Sequence, residues 1–145
     1  GLEAARAIGL LTYRGPEGYN RTQQNPPSDS AEPVRSHRAC SYQRYQGSKL
    51  SRRFNAYSYV TILDAFDTHD VSRGRGGLKA ALGRLHCPAI VVGISTDIVF
   101  TPPEMRALAA MLPDAEYHEI ESAFGHDGFL VEHDQLNRIL KNFMK

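Results

Sequence analysis

Apolar positions in this chain follow two rhythms. Over residues 1–70 they recur at intervals of three and four, the period of helices with one buried face. From residue 85 onward, short continuous apolar runs alternate with helical stretches. Leu2, Ala5, Ile8, Gly9 and Leu11 predict a half-buried helix over residues 1–13, ending at Arg14-Gly15-Pro16. Residues 15–39 are rich in Pro, Ser, Asn, Gln and Glu, with Pro26-Pro27 inside, and predict a surface loop. A helix from Ala39 to Phe54 follows, carrying Tyr42, Tyr45 and Leu50, with Gly47 as its weak point. Asn55 is placed to cap the next helix, whose apolar positions are Tyr59, Ile62, Leu63 and Phe66. The glycine-rich stretch Asp67 to Gly77 connects this helical part to the rest, and a short helix spans Leu78 to Leu85.

The second rhythm begins after Pro88. Ala89, Ile90, Val91 and Val92, with Ile94 past Gly93, form the pattern of a strand buried on both faces, as in a parallel sheet. Thr101, Pro102 and Glu104 then supply a helix cap, a first-position proline and a reciprocating acid. Met105, Leu108, Ala109 and Leu112 predict the buried stripe of that helix, and Pro113-Asp114 stops it. A second strand from Ala115 to Ile120, the turn Gly125-His126-Asp127 and a closing helix within Phe129 to Met144 complete a β-α-β-α series over residues 85–145. The closing helix has Leu130, Leu136, Ile139, Leu140 and Phe143 on one face. Two strands with a right-handed crossover form only the edge of a parallel sheet and are not stable alone. The remaining strands are therefore expected upstream, and the chain, whose first residue is Gly1, is expected to be a C-terminal portion.

Composition narrows the function classes. A net charge of +1 gives no electrostatic case for nucleic acid or an anionic membrane, and the clusters Arg52-Arg53 and Arg73, Arg75 read as solvated surface. No apolar run approaches the roughly 20 residues of a membrane span. Cys40 and Cys87 stand in unrelated contexts, which suits a reducing compartment, with cytoplasm the expectation. His37, His69, His86, His118 and His133 have no partner at metal-ligand spacing, so no metal site is expected. Gly74-Arg75-Gly76-Gly77 lacks both the Lys-Ser/Thr ending and the preceding strand of a phosphate loop, and reads as a turn.

The candidate chemistry lies after the two strands. Asp97 follows the first and His126 the second, so parallel neighbours put both side chains at the same carboxyl edge. Strand, acid, helix, strand, histidine is the order in which an α/β-hydrolase presents the last two members of its triad. There the histidine takes the nucleophile's proton, and the carboxylate holds its other nitrogen. No serine or cysteine of this chain has glycines two before and two after it, as the nucleophile's turn requires. The plain alternative makes Asp97 a helix cap and His126 a surface histidine.

Longer motifs decide between these. G-L-E-A-A-R-A-I-G-L-L-T-Y-R, S-Y-Q-R-Y-Q-G-S-K-L-S-R-R-F-N-A-Y-S-Y, F-D-T-H-D-V-S-R-G-R-G-G, V-V-G-I-S-T-D-I-V-F-T-P-P-E and F-G-H-D-G-F-L-V-E cover essentially the whole chain. In them it resembles the C-terminal portion of homoserine O-acetyltransferases, α/β-hydrolase-fold enzymes of methionine biosynthesis. The resemblance implies an α/β fold in which residues 1–70 form a helical lid, with a flexible loop at about 15–39. Residues 71–145 would form the C-terminal part of the hydrolase core. It implies Asp97 as triad acid, His126 as base, Asp127 as the carboxylate that grips the substrate's amino group, and Arg6 as reader of the substrate carboxylate. The plain readings of the last two are a surface ion pair for Arg6 and a cap on the final helix for Asp127. The implied partners are L-homoserine and acetyl-CoA as co-substrate with no bound cofactor, and a homodimer formed through the lid. Tyr42, Tyr45, Tyr57 and Tyr59 are candidates to face the entry tunnel. The nucleophilic serine and the oxyanion hole lie outside these residues, so the 145 residues alone are expected to be inactive.

Three rival readings stand beside this one. The same scaffold is similar to serine O-acetyltransferases and to O-succinyltransferases acting on homoserine or serine. An esterase would use water in place of homoserine. A non-catalytic helical interaction module, with residues 40–66 as its binding surface, belongs to a different class.

Overall fold

A computed structural model describes residues 1–25, 33 and 36–144. Helix α1 (Leu2–Tyr13) is followed by α2 (Pro16–Gln23), α3 (Arg38–Ser51) and α4 (Ala56–Asp67). A run of turns leads to α5 (Leu78–Leu82), and then β1 (Ala89–Ile94), α6 (Pro102–Met111) and β2 (Ala115–Ile120) alternate. A 3₁₀ turn (Gly125–Leu130) and α7 (His133–Phe143) close the chain. The fold is an α/β arrangement with all four long early helices on the N-terminal side.

β1 and β2 pair in parallel, with Ala89 opposite Ala115 and Ile94 opposite Ile120. Helix α6, the crossover between them, packs on both strands, and α7 packs against β2. The small core lies where these meet: Val91, Ile94, Ala109 and the fully enclosed Ile120. Ile90 and Val92 are only half-buried, so one face of β1 is covered less than its unbroken apolar run predicts. The capping reading of α6 is realised, since the Thr101 N–H and hydroxyl both bond to Glu104. The Thr101 hydroxyl holds the Glu104 carboxyl below its usual range. Of the predicted stripe, Ala109 is buried and Met105, Leu108 and Leu112 are half-buried.

Two readings from sequence change. Residues 16–23 form a helix rather than part of a loop. Its segment P-E-G-Y-N-R-T-Q has no apolar stripe, and tertiary contact holds it instead. The Gly18 N–H donates to the Ala123 carbonyl at 3.0 Å, and a side chain on Gly18 would collide with Phe124 and Ala123. The rest of the expected loop includes residues 26–32, 34 and 35, which lie outside the described residues. Gly47 is not a weak point but the crossing point of α1 and α3. It is buried, and a Cβ there would lie 2.8 Å from the Glu3 carbonyl oxygen.

Helix α4 starts where Asn55 was expected to start it, the Asn55 Oδ1 accepting from the Ser58 N–H at 2.8 Å. None of its residues is buried, and Phe66 is 74% exposed. Its apolar face, with Ile62, Leu63 and Tyr57, is uncovered among the described residues.

The helical part meets the β-α-β-α part through backbone. Gly125 has φ 64°, and a Cβ there would stand 2.5 Å from the Gly15 nitrogen and 2.9 Å from the Arg14 carbonyl carbon. No described helix is long and apolar enough to cross a membrane.

Gly47→Ala is expected to destabilise the protein by about 1–3 kcal/mol through overpacking. Gly9→Ala, in α1 with nothing within 4 Å of its Cβ, should stabilise by about 0.5–1 kcal/mol. Denaturant titration checks both, and an equal effect of the two would refute the crossing contact. Gly74→Ala carries only the positive-φ cost, about 1–2 kcal/mol, because its Cβ meets open space. Gly125→Ala adds a collision and should cost more.

Candidate active site

The site is assembled by the two loops that leave the carboxyl ends of β1 and β2. Small polar side chains bind these loops together. The Ser95 N–H donates to the Ile120 carbonyl at 3.0 Å, and the Ser122 N–H to Ser95 Oγ at 3.2 Å. Thr96 Oγ1 donates to the Ser122 carbonyl at 2.7 Å and accepts from the Gly125 N–H at 3.0 Å. This cross-bracing sets the residue after Gly125 against the residue after Thr96.

Those residues are His126 and Asp97. Asp97, 6% exposed, uses its two carboxylate oxygens differently. Oδ1 accepts from the N–H groups of Val99 at 2.7 Å and Phe100 at 3.1 Å, shaping the chain before α6. Oδ2 lies 2.8 Å from His126 Nδ1. Asp97 thus shapes the turn before α6 with one oxygen and meets His126 with the other, while the cap of α6 itself is Thr101. A carboxylate has no proton to give, so Nδ1–H is the donor and Nε2 carries the free lone pair. Among the described residues Nε2 has no partner, which is what a base needs when its proton source lies elsewhere.

Three aromatic rings surround His126. The centroids of Tyr13, Phe100 and Phe129 lie 5.6, 5.3 and 6.0 Å from that of the imidazole. They flank the imidazole, which stays partly open to solvent, and they come from three separate elements. None of the three was singled out from sequence, because nothing local marks them.

The two substrate-binding candidates lie apart. The Arg6 guanidinium sits 5.6 Å from the centroid of Tyr13, which in turn abuts His126, and Arg6 forms no ion pair among the described residues. Asp127 lies in the 3₁₀ turn rather than capping α7, whose N-cap is Glu132. Its Oδ2 is 2.7 Å from Nε of Arg14. This is a Coulombic contact, since the Arg14 Nε–H has no aligned acceptor. Arg14 Nη2 donates to the Tyr42 hydroxyl at 2.9 Å and the guanidinium lies over that ring, so one side chain joins α1, α3 and the histidine turn. Arg14 was read from sequence only as a helix end. Its partner stands 113 residues away, counting from 14 to 127, and no short motif carries such a pairing. The arrangement offers a histidine oriented by a buried acid, an ion-paired carboxylate on the next residue and aromatic rings beside the imidazole. Among the described residues no group of His, Cys, Asp and Glu is placed to hold a metal ion.

No protein-family model matches the chain. It is 46% identical over 143 residues to a curated homoserine O-acetyltransferase of Cyclobacterium marinum, a match covering 99% of this chain and 40% of that protein. The crystal structure of homoserine O-acetyltransferase from Staphylococcus aureus superposes with a TM-score of 0.74 at 26% identity, over 99% of this chain and 41% of that one. Esterase E22 superposes with a TM-score of 0.78 over 99% of this chain and 42% of its own, but at 16% identity, which speaks for the fold alone. The chain thus spans about two fifths of the length of the proteins it matches. Over nearly its whole length the chain is similar in sequence to about two fifths of curated homoserine O-acetyltransferases, and it carries part of an α/β-hydrolase fold.

Proposed function

We propose that the polypeptide carrying this chain moves acetyl from acetyl-CoA to the hydroxyl of L-homoserine through an acyl-enzyme. One observation carries the reading: His126 Nδ1 stands 2.8 Å from the buried Asp97, and its Nε2 has no partner among the described residues. A serine outside these residues attacks the thioester carbonyl while Nε2 takes its proton. The C–S bond then breaks, and the thiolate of coenzyme A leaves with that proton. In the second half Nε2 takes the proton of homoserine's hydroxyl, whose oxygen attacks the serine ester. The serine oxygen leaves, and Nε2 returns the proton to it. Asp97 stays ionised throughout, holding the tautomer and stabilising the imidazolium.

Recognition of a free amino acid needs one cation for its carboxylate and one anion for its ammonium. Arg6 is the proposed cation, and its fork suits a carboxylate. Asp127 is the proposed anion: Arg14 holds Oδ2, while Oδ1 has no partner among the described residues. The names of the relatives favour acetyl over succinyl and homoserine over serine. The non-catalytic reading offers no account of an enclosed acid-histidine pair. Helices α1 to α4 are proposed to form the lid. The homodimer through it is supported by the uncovered apolar face of α4. Cytoplasmic location belongs to the same proposal.

The esterase reading shares the fold, as the likeness to esterase E22 shows, and differs only in what discharges the acyl-enzyme. Brief exposure of the nucleophile-bearing polypeptide to acetyl-CoA is expected to leave an acetyl adduct in its intact mass, discharged by homoserine. Discharge at the same rate in water alone would favour the esterase. Arg6→Ala should raise KM for homoserine and leave adduct formation unchanged. Asp97→Asn should lower kcat by about 10⁴-fold. In the parent protein the His126 Nδ1 proton should give a downfield NMR resonance that is lost in Asp97→Ala. The 145 residues alone are expected to transfer no acetyl.

A further inference from the structure

Beside Tyr13 opens a cavity of about 360 Å³, whose lining includes Arg6 and Tyr13 of α1, Gln46, Lys49 and Arg53 of α3 and the turn after it, and Tyr59 of α4. The lining holds three cations and no carboxylate. The ion pairs among the described residues involve other groups, so Arg6, Lys49 and Arg53 all lack an acidic partner there. Glu3, the acid on the same helix as Arg6, accepts instead from the Ser51 hydroxyl at 2.9 Å.

Lys49 and Arg53 stand four residues apart where α3 ends. The helix dipole favours cations at that end, but two like charges brought to one cavity oppose each other. The dipole also gives no reason for both to share one cavity with a third cation. An anionic ligand does. The acceptor proposed above is a zwitterion whose single carboxylate needs a single arginine, and Arg6, nearest the histidine through Tyr13, is already assigned to it. Two cations remain. The donor proposed above is a thioester whose nucleotide end carries phosphates, and Tyr13, which lines this cavity, also lies against His126.

We propose that the Lys49–Arg53 side of this cavity binds a phosphate group of the coenzyme A donor, an assignment that rests on the acyl-transfer reading. Both side chains are exposed, so they give up little hydration on binding. Their attraction for phosphate is correspondingly sensitive to salt.

The test is Lys49→Gln with Arg53→Gln in the polypeptide that also carries the nucleophile. KM for acetyl-CoA is expected to rise about tenfold, and its salt dependence to flatten. KM for S-acetylpantetheine, a thioester without phosphate, and KM for homoserine should not move. Arg52→Gln, which removes a neighbouring charge outside the cavity lining, should leave all three constants in place. A rise in KM for homoserine, or an equal loss with both donors, overturns the proposal. Calorimetric binding of adenosine 3′,5′-bisphosphate separates this assignment from the acyl-transfer reading. If no acetyl is transferred to any acceptor, binding by the parent protein that is lost in the double variant still supports the phosphate site. Equal binding by both proteins, or none by either, overturns it.

Discussion

The register between β1 and β2 sets the distance at which Asp97 and His126 meet. Ile94 opposite Ile120 leaves the two loops starting level. Ser95, Thr96 and Ser122 then carry that alignment outward by hydrogen bonds between loops rather than within them. A slip of one residue would displace a loop by about 3.3 Å and turn the strand's side chains to the opposite face. Ile120, wholly enclosed between the strands and helices, opposes such a slip because its side chain fits only one face.

Asp97 links the local and the long-range parts of this scheme. Its Oδ1 bonds fix the chain leading into α6, so the carboxylate cannot rotate away from the imidazole without releasing two backbone N–H groups. Orientation of the histidine thus rests on backbone bonds that are already satisfied. On the other side of the ring the helical part enters through Tyr13 and Arg14, two adjacent residues that face His126 and Asp127 respectively. The histidine turn is held from both halves of the chain.

Legibility from sequence followed the range of the interaction. The Asn55 cap and the Thr101–Glu104 capping box were readable because all partners lie within three residues. The first strand was readable from its apolar run and the second from the alternation in A-E-Y-H-E-I, and the order of acid and histidine then followed from parallel topology. Helix α2 was not, since Gly18 gains its order from Ala123, more than a hundred residues on. Gly47 was misread because a glycine that weakens an isolated helix has the same appearance as one that lets two helices touch. The ring of Tyr13, Phe100 and Phe129 around His126 and the Arg14–Asp127 contact were invisible for the same reason: no periodicity or spacing encodes a meeting of distant elements. Arg6 and Asp127 entered only through the longer motifs, and their roles belong to the proposal.

The seam at Gly15, Gly18 and Gly125 has a consequence for engineering the surroundings of the histidine. At Gly15 and Gly125 main chain meets main chain, so side-chain repacking cannot absorb a substitution, and at Gly18 the Phe124 ring and the Ala123 carbonyl both stand in the way. The outward positions of α4, by contrast, touch nothing among the described residues and are free to vary so long as no second molecule rests on them. A library built to reshape the approach to the histidine therefore gains little from randomising the first connection. Its diversity is better placed on the helices that follow.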